Sequence, residues 1–204
     1  MIKAAASLAQ FFGRIPKPVL FVAAILIQIA LLAAMVFDRA GILREGREVT
    51  LQTRPGDPRD FLRGDYVVLG YDISQLKAGP LMGQPAGSRH PVVFVKLAPN
   101  RHDLYEAVSV HAGPVAVTSP EVLIQGRVRY GASCGGSDAP AFCDKLQVRY
   151  NLESYFVPEG EGRKLEDARN AGKVTVVAAV TPSGRAAIKR LLLDGQPVYD
   201  EPWF

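Results

Sequence analysis

Six polar or ionisable side chains fall within thirteen positions of this chain: Arg59, Asp60, Arg63, Asp65, Tyr66 and Tyr71. Carboxylates beside guanidinium groups and phenols can orient a polar ligand or pass a proton. The same residue types also have structural uses: Asp60 serves a helical turn, Asp65 caps the turn into a strand, and the arginines pair with them. Three further acids, Glu153, Glu159 and Glu161, are candidates to join Asp65 for a hard cation or for acid/base work on glycans. Their run, Glu159-Gly160-Glu161-Gly162, lacks the periodicity of a calcium loop, and acids at the start of a helix are favoured by its dipole alone. His90, His102 and His111 have no metal-ligand spacing, so neither a metal nor a cofactor is expected.

Cys134 and Cys143 stand nine positions apart in GASCGGSDAPAFCDK, a Gly, Ser and Pro-rich stretch that reads as a loop between strands. The spacing fits neither C-x-x-C redox chemistry nor a zinc site. A structural disulfide of an exported domain is expected, with free thiols in a cytosolic loop as the alternative.

The eight residues GDYVVLGY at 64–71 resemble the signature of the GDYXXLXY family, a group of bacterial membrane-anchored proteins: Gly64, Asp65, Tyr66, Leu69 and Tyr71 fall on its named positions, preceded by PRDFLR. A second stretch, ESYFVPEGEG at 153–162, is also similar to the family, and the resemblance runs from the anchor to the last hairpin. It implies an exported domain tethered to the inner membrane, often encoded beside multi-pass membrane proteins, and it carries over no catalytic residue. In an unbroken strand Val67, Leu69 and Tyr71 face one side while Tyr66, Val68 and Gly70 face the other, so Tyr66 and Tyr71 share a face only across a bulge. A weaker similarity, Arg63-Gly64-Asp65-x-Val67-Val68, is to type I signal peptidases, but no serine here is followed by the Met-x-Pro of their nucleophile box. Nucleophilic catalysis needs an activated pair, and none can be named.

These residues must be placed by the rest of the chain, which sits at a membrane. Residues 18–37, PVLFVAAILIQIALLAAMVF, include one polar side chain, Gln28, and no charge, matching the ~20 residues that cross ~30 Å of hydrocarbon as a helix. A cleaved signal has a shorter apolar run of ~7 to 15 residues and a small-x-small site, so an uncleaved anchor is expected. Lys3, Arg14 and Lys17 precede the span without an acid, whereas Arg39, Arg44 and Arg47 follow it interleaved with Asp38, Glu45 and Glu48. The basic count is tied, and the free amino terminus with Arg14 and Lys17 close to the span favours a cytoplasmic N-terminus. Residues 1–37 hold three of the four net positive charges of the chain, leaving 38–204 too close to neutral for a nucleic-acid surface.

The expected organisation is a cytoplasmic segment 1–17, a transmembrane helix 18–37, a juxtamembrane linker 38–47 and a β-rich extracytoplasmic domain 48–204. Strands are read at 48–54, 66–74, 91–98, 104–111, 122–130 and 146–150, and a final hairpin at 173–181 and 185–193 turns at Pro182-Ser183-Gly184. A short helical turn precedes the strand at 66–74, and a helix at 159–170 ends at Gly172. The fold class is therefore mainly β: one antiparallel, meander-like domain with at most one or two short helices, behind a single membrane helix. The expected function is a non-enzymatic envelope component that binds a multi-pass membrane protein through the motif turn and residues 153–162. The competing reading is an envelope hydrolase using carboxylates at Asp65, Glu153 or Glu159.

Overall fold

The computed structural model describes residues 16–55, 66–76, 92–129, 146–158 and 160–201. The chain divides between Ala40 and Gly41 into two compact units. The first carries most of helix α1 (Lys17–Glu45), whose 29 residues extend about 43 Å at 1.5 Å per residue. Its large apolar side chains, among them Val19, Phe21, Ile27, Leu31 and Phe37, are exposed on every side. A core helix of a soluble domain would hide one such face. This helix is long and apolar enough to span a membrane, and it fits an anchor. It stays helical past Phe37, through most of the stretch read as a linker.

The second unit is built on strands whose alternation was plain in the sequence. In β1 (Arg47–Arg54) Val49, Leu51 and Thr53 point inward, and the Thr53 hydroxyl, which burial would otherwise penalise, donates to the Val174 carbonyl at 2.5 Å. The strand expected at 66–74 is instead three short pieces, β2 (Tyr66–Val68), β3 (Gly70–Tyr71) and a 3₁₀ turn (Asp72–Ser74), with β4 (Gln75–Leu76) directly after them. Alternation survives the breaks, since Val67, Leu69, Tyr71 and Ile73 are all buried. The side chains keep to one core while the backbone changes partner.

The remaining strands are β5 (Val92–Pro99), β6 (Tyr105–His111), β7 (Val122–Val128), β8 (Leu146–Arg149), β9 (Ser154–Phe156), β10 (Val174–Val180), β11 (Ala186–Leu193) and β12 (Gln196–Asp200). They form two five-stranded antiparallel sheets, in the orders β12-β11-β10-β1-β3 and β4-β8-β7-β5-β6, and a two-stranded ribbon β2-β9. The first sheet is not the meander expected, because β1 lies between β10 and β3. Strand β10, VTVVAAV, is nearly buried throughout, and a strand apolar on both faces belongs inside a sheet with a neighbour on each edge. Ala187, beside it on β11, buries with Ile42 and Leu43 from the end of α1.

One core joins the sheets and the ribbon, with Leu51 and Val176 from the first sheet, Val95 and Ile124 from the second, and Val67 and Tyr155 from the ribbon. Each such side chain contributes roughly 1.5–3 kcal/mol by leaving water. Helix α2 (Gly162–Asn170) closes the ribbon side, burying Leu165 and Arg169 one turn apart. It ends at Gly172 as expected, where the N–H groups of Gly172 and Lys173 return to the carbonyls of Arg169 and Ala168 in the pairing of a Schellman motif. The hairpin turn at 182–184 is closed by Thr181 N–H on the Arg185 carbonyl at 2.8 Å, and it docks on β7 through Gln125 N–H and the Gly184 carbonyl at 2.7 Å.

Candidate functional site

The two segments singled out in the sequence pair with each other. Strand β2 of the motif and β9 of ESYF run antiparallel with Tyr66 opposite Phe156, Val67 opposite Tyr155 and Val68 opposite Ser154. Val67 and Tyr155 turn into the core. Phe156, the next residue along, faces the other way and is 76% exposed. The Leu69 N–H, just past β2, continues the contact to the Glu153 carbonyl at 2.8 Å.

Two buried tyrosines then fasten the end of the motif reciprocally. The Tyr71 hydroxyl donates to the Leu152 carbonyl at 2.6 Å, and the Tyr150 hydroxyl donates back to the Ile73 carbonyl at 2.7 Å. Residues 71–73 and 150–152 are thus cross-linked by two hydrogen bonds of opposite sense. Burial pushes both phenols well above their ordinary pKa, and the nearby Glu153 charge adds to it. They are held neutral as donors. The Tyr150 ring needs a gap in β7: a Cβ on Gly126 would lie 2.9 Å from the Tyr150 Cε1 and 2.3 Å from the Val148 Cγ1, too close for any other side chain.

Arg169 of α2, only 2% exposed, donates through its guanidinium to the Val68 carbonyl and to Asn170 Oδ1 at 3.0 Å. A buried guanidinium is costly unless its donors are met, and here it ties helix to motif. A third group lies where α2 begins: the Tyr155 and Tyr199 rings stand 6.3 Å apart and tilted, and the Tyr199 hydroxyl donates to Glu161 Oε2 at 3.0 Å. Desolvation, then the charge and hydrogen bond of Glu201, pushes Tyr155 up to about 12. Tyr199 is raised too, by desolvation and then by Glu161.

A family model described as GDYXXLXY protein matches residues 28–191. The chain belongs to the GDYXXLXY family. No curated protein and no solved structure matches it.

In this GDYXXLXY protein the named motif positions Leu69 and Tyr71 are core, and Tyr71 is a structural hydrogen-bond donor. Glu153 is close to both clasp tyrosines, but its carboxylate is taken by the Tyr150 N–H at 2.6 Å. Glu161 is shared between Tyr199 and Lys164, whose Nζ is 3.5 Å away. Among the described residues no three His, Cys, Asp or Glu side chains converge as metal ligands would. Arg59, Asp60, Arg63, Asp65 and Glu159 lie outside the described residues, as do Cys134 and Cys143, and Tyr66 is described by its backbone.

Tyr150, Phe156, Arg169 and Tyr199 were not singled out from the sequence. Arg169 left a signal: it stands four residues after Leu165, on the apolar stripe of its helix, where a cation has no place unless something inside receives it. Tyr199 belongs to a strand announced by Asp194-Gly195, both at positive φ (49° and 79°), the dipeptide of a tight hairpin turn.

Proposed function

We propose that this GDYXXLXY protein is a single-pass component of the bacterial inner membrane, N-terminus in the cytoplasm and β domain in the periplasm, that works by binding a multi-pass membrane protein and not by turnover. The binding face is the ribbon of β2 and β9. The observation that carries this is Phe156: the strand that completes the family motif presents a large aromatic side chain at 76% exposure beside the backbone of motif residue Tyr66. Aromatic side chains are the residues on which binding energy concentrates. The motif residues Leu69 and Tyr71, with Arg169 of α2, hold this ribbon rigid through the Leu69 N–H, the tyrosine clasp and the guanidinium on the Val68 carbonyl, as a recognition surface requires. The described acids support the same reading, because Glu153 and Glu161 are each engaged by neighbours in the fold.

The test is mild detergent extraction of the tagged full chain from its own membranes, followed by mass spectrometry of what comes with it, for wild type and Phe156→Ser. A stoichiometric multi-pass protein present with wild type and lost with the variant is the expected result. Equal recovery from both samples overturns the placement of the face, and recovery from neither overturns the binding role.

A further inference from the structure

Away from the ribbon, a groove of ≈ 940 Å³ is lined by Leu43, Arg44, Lys189, Arg190, Asp200 and Glu201. Its volume is that of a small-molecule site. The register of β11 with β12 sets Arg190 opposite Asp200; Lys189 and Arg190 come from β11, Arg44 from the end of α1, and Asp200 and Glu201 from the end of β12 and the residue after it. Glu48 is bound by Lys189 at 2.7 Å and by Arg190 at 3.4 Å, and Arg190 Nε stands 3.4 Å from Asp200 Oδ1. With Glu48 included, three cations face three carboxylates. A site so balanced has no attraction for a bare anion at long range, but it can receive a ligand that carries both charges.

The groove is also tied to the anchor by sequence. Leu43 follows Phe37, the last of the uncharged apolar run, by six residues of the same helix, a rise of about 9 Å. Its ligand is therefore to be sought in or beside the headgroup layer, the ~5 to 8 Å that each leaflet adds to the hydrocarbon. We propose that this groove binds the headgroup of an ethanolamine phospholipid, its phosphate on Arg44 and Lys189 and its ammonium on Asp200 and Glu201. The primary ammonium brings three N–H donors to those carboxylates; a choline headgroup brings none, and a glycerol headgroup brings no cation. Leu43, a buried residue of the lining, offers the apolar contact that the first carbons of the lipid need. The inference rests on the membrane-anchor part of the proposed function and is independent of the ribbon.

The test uses the full chain in mild detergent, incubated with equal amounts of ethanolamine, choline and glycerol phospholipids of the same acyl chains, with retained lipid counted by native mass spectrometry. One ethanolamine lipid is expected, retained roughly tenfold or more over the other two, the discrimination that a charge-assisted hydrogen bond gives. Asp200→Asn with Glu201→Gln reduces it to the choline level. Equal retention of the choline lipid, or retention of the glycerol lipid at or above the ethanolamine lipid, overturns the proposal on wild type alone. Phosphoethanolamine without acyl chains binding as tightly as the lipid overturns its membrane origin. Alkaline extraction of the same membranes separates failure here from failure of the anchor, since an anchored chain stays with the pellet whichever lipid it prefers.

Discussion

Replacing Tyr71 by Phe removes one oxygen from the core and one of the two bonds of the clasp. Tyr71 is 1% exposed, and its donor distance to the Leu152 carbonyl is 2.6 Å, so the carbonyl loses a short bond where water cannot replace it. Leaving one buried partner unmet costs about 1–3 kcal/mol. For a chain of this size each kcal/mol moves the melting midpoint by roughly 2–4 °C, so the variant melts about 2–12 °C lower. Tyr150→Phe acts on the same two segments from the other side, through the Ile73 carbonyl. Because both bonds hold 71–73 to 150–152, the double variant departs from the sum of the singles by roughly 0.5 kcal/mol or more. The assay is chemical denaturation of the full chain in detergent for wild type, both singles and the double, followed by near-ultraviolet circular dichroism. A Tyr71→Phe variant within about 0.5 kcal/mol of wild type would refute the clasp.

Further outcomes follow from the same geometry. Arg169→Ala leaves the Val68 carbonyl without its guanidinium and a hole under the ribbon, lowering stability by about 2–4 kcal/mol; Arg169→Lys recovers only part, because it lacks the fork of donors, and both are read by the same denaturation. Gly126→Ala sets a methyl 2.3 Å from the Val148 Cγ1 and costs about 1–3 kcal/mol by overpacking. The raised phenols set the alkaline limit. An unfolded tyrosine loses its proton near ~10, whereas Tyr155 holds it to about 12 and Tyr71 beyond its ordinary range. The unfolded chain thus binds fewer protons in that window, and stability is full below pH ~10 and falls as pH rises toward ~12. A pH series of melting midpoints checks it, and a flat profile from pH ~9 to ~12 would contradict the assignment. Phe156→Ser, at an exposed position, changes stability by no more than about 0.5 kcal/mol.

The legible parts of the fold were those written in local spacing. Val49, Leu51 and Thr53 announce β1, Gly172 ends α2, and the uncharged run at 18–37 marks the long apolar helix α1. Even the motif kept its promise of alternation, with Val67, Leu69 and Tyr71 all inward. What local spacing cannot carry is the identity of the partner strand. The breaks after Val68 and Tyr71 follow from pairing with β9, far along the chain, and with β1, the strand before the motif. For the same reason sequence spacing named Tyr71 among the site residues but not its partner, a carbonyl 81 positions away, nor Arg169, which bonds one 101 positions away. The juxtaposition of Tyr66–Val68 with Ser154–Phe156 arises only in the folded chain.

The central claim, that the outward face of the β2–β9 ribbon is a binding face, is tested most directly by photocrosslinking in living cells. A photoreactive phenylalanine is placed at position 156 and, as a control, at Glu106, exposed on β6 of the other sheet. A discrete adduct with one membrane protein from position 156 and none from position 106 is the predicted result. No adduct from 156, or the same adducts from both positions, would contradict it.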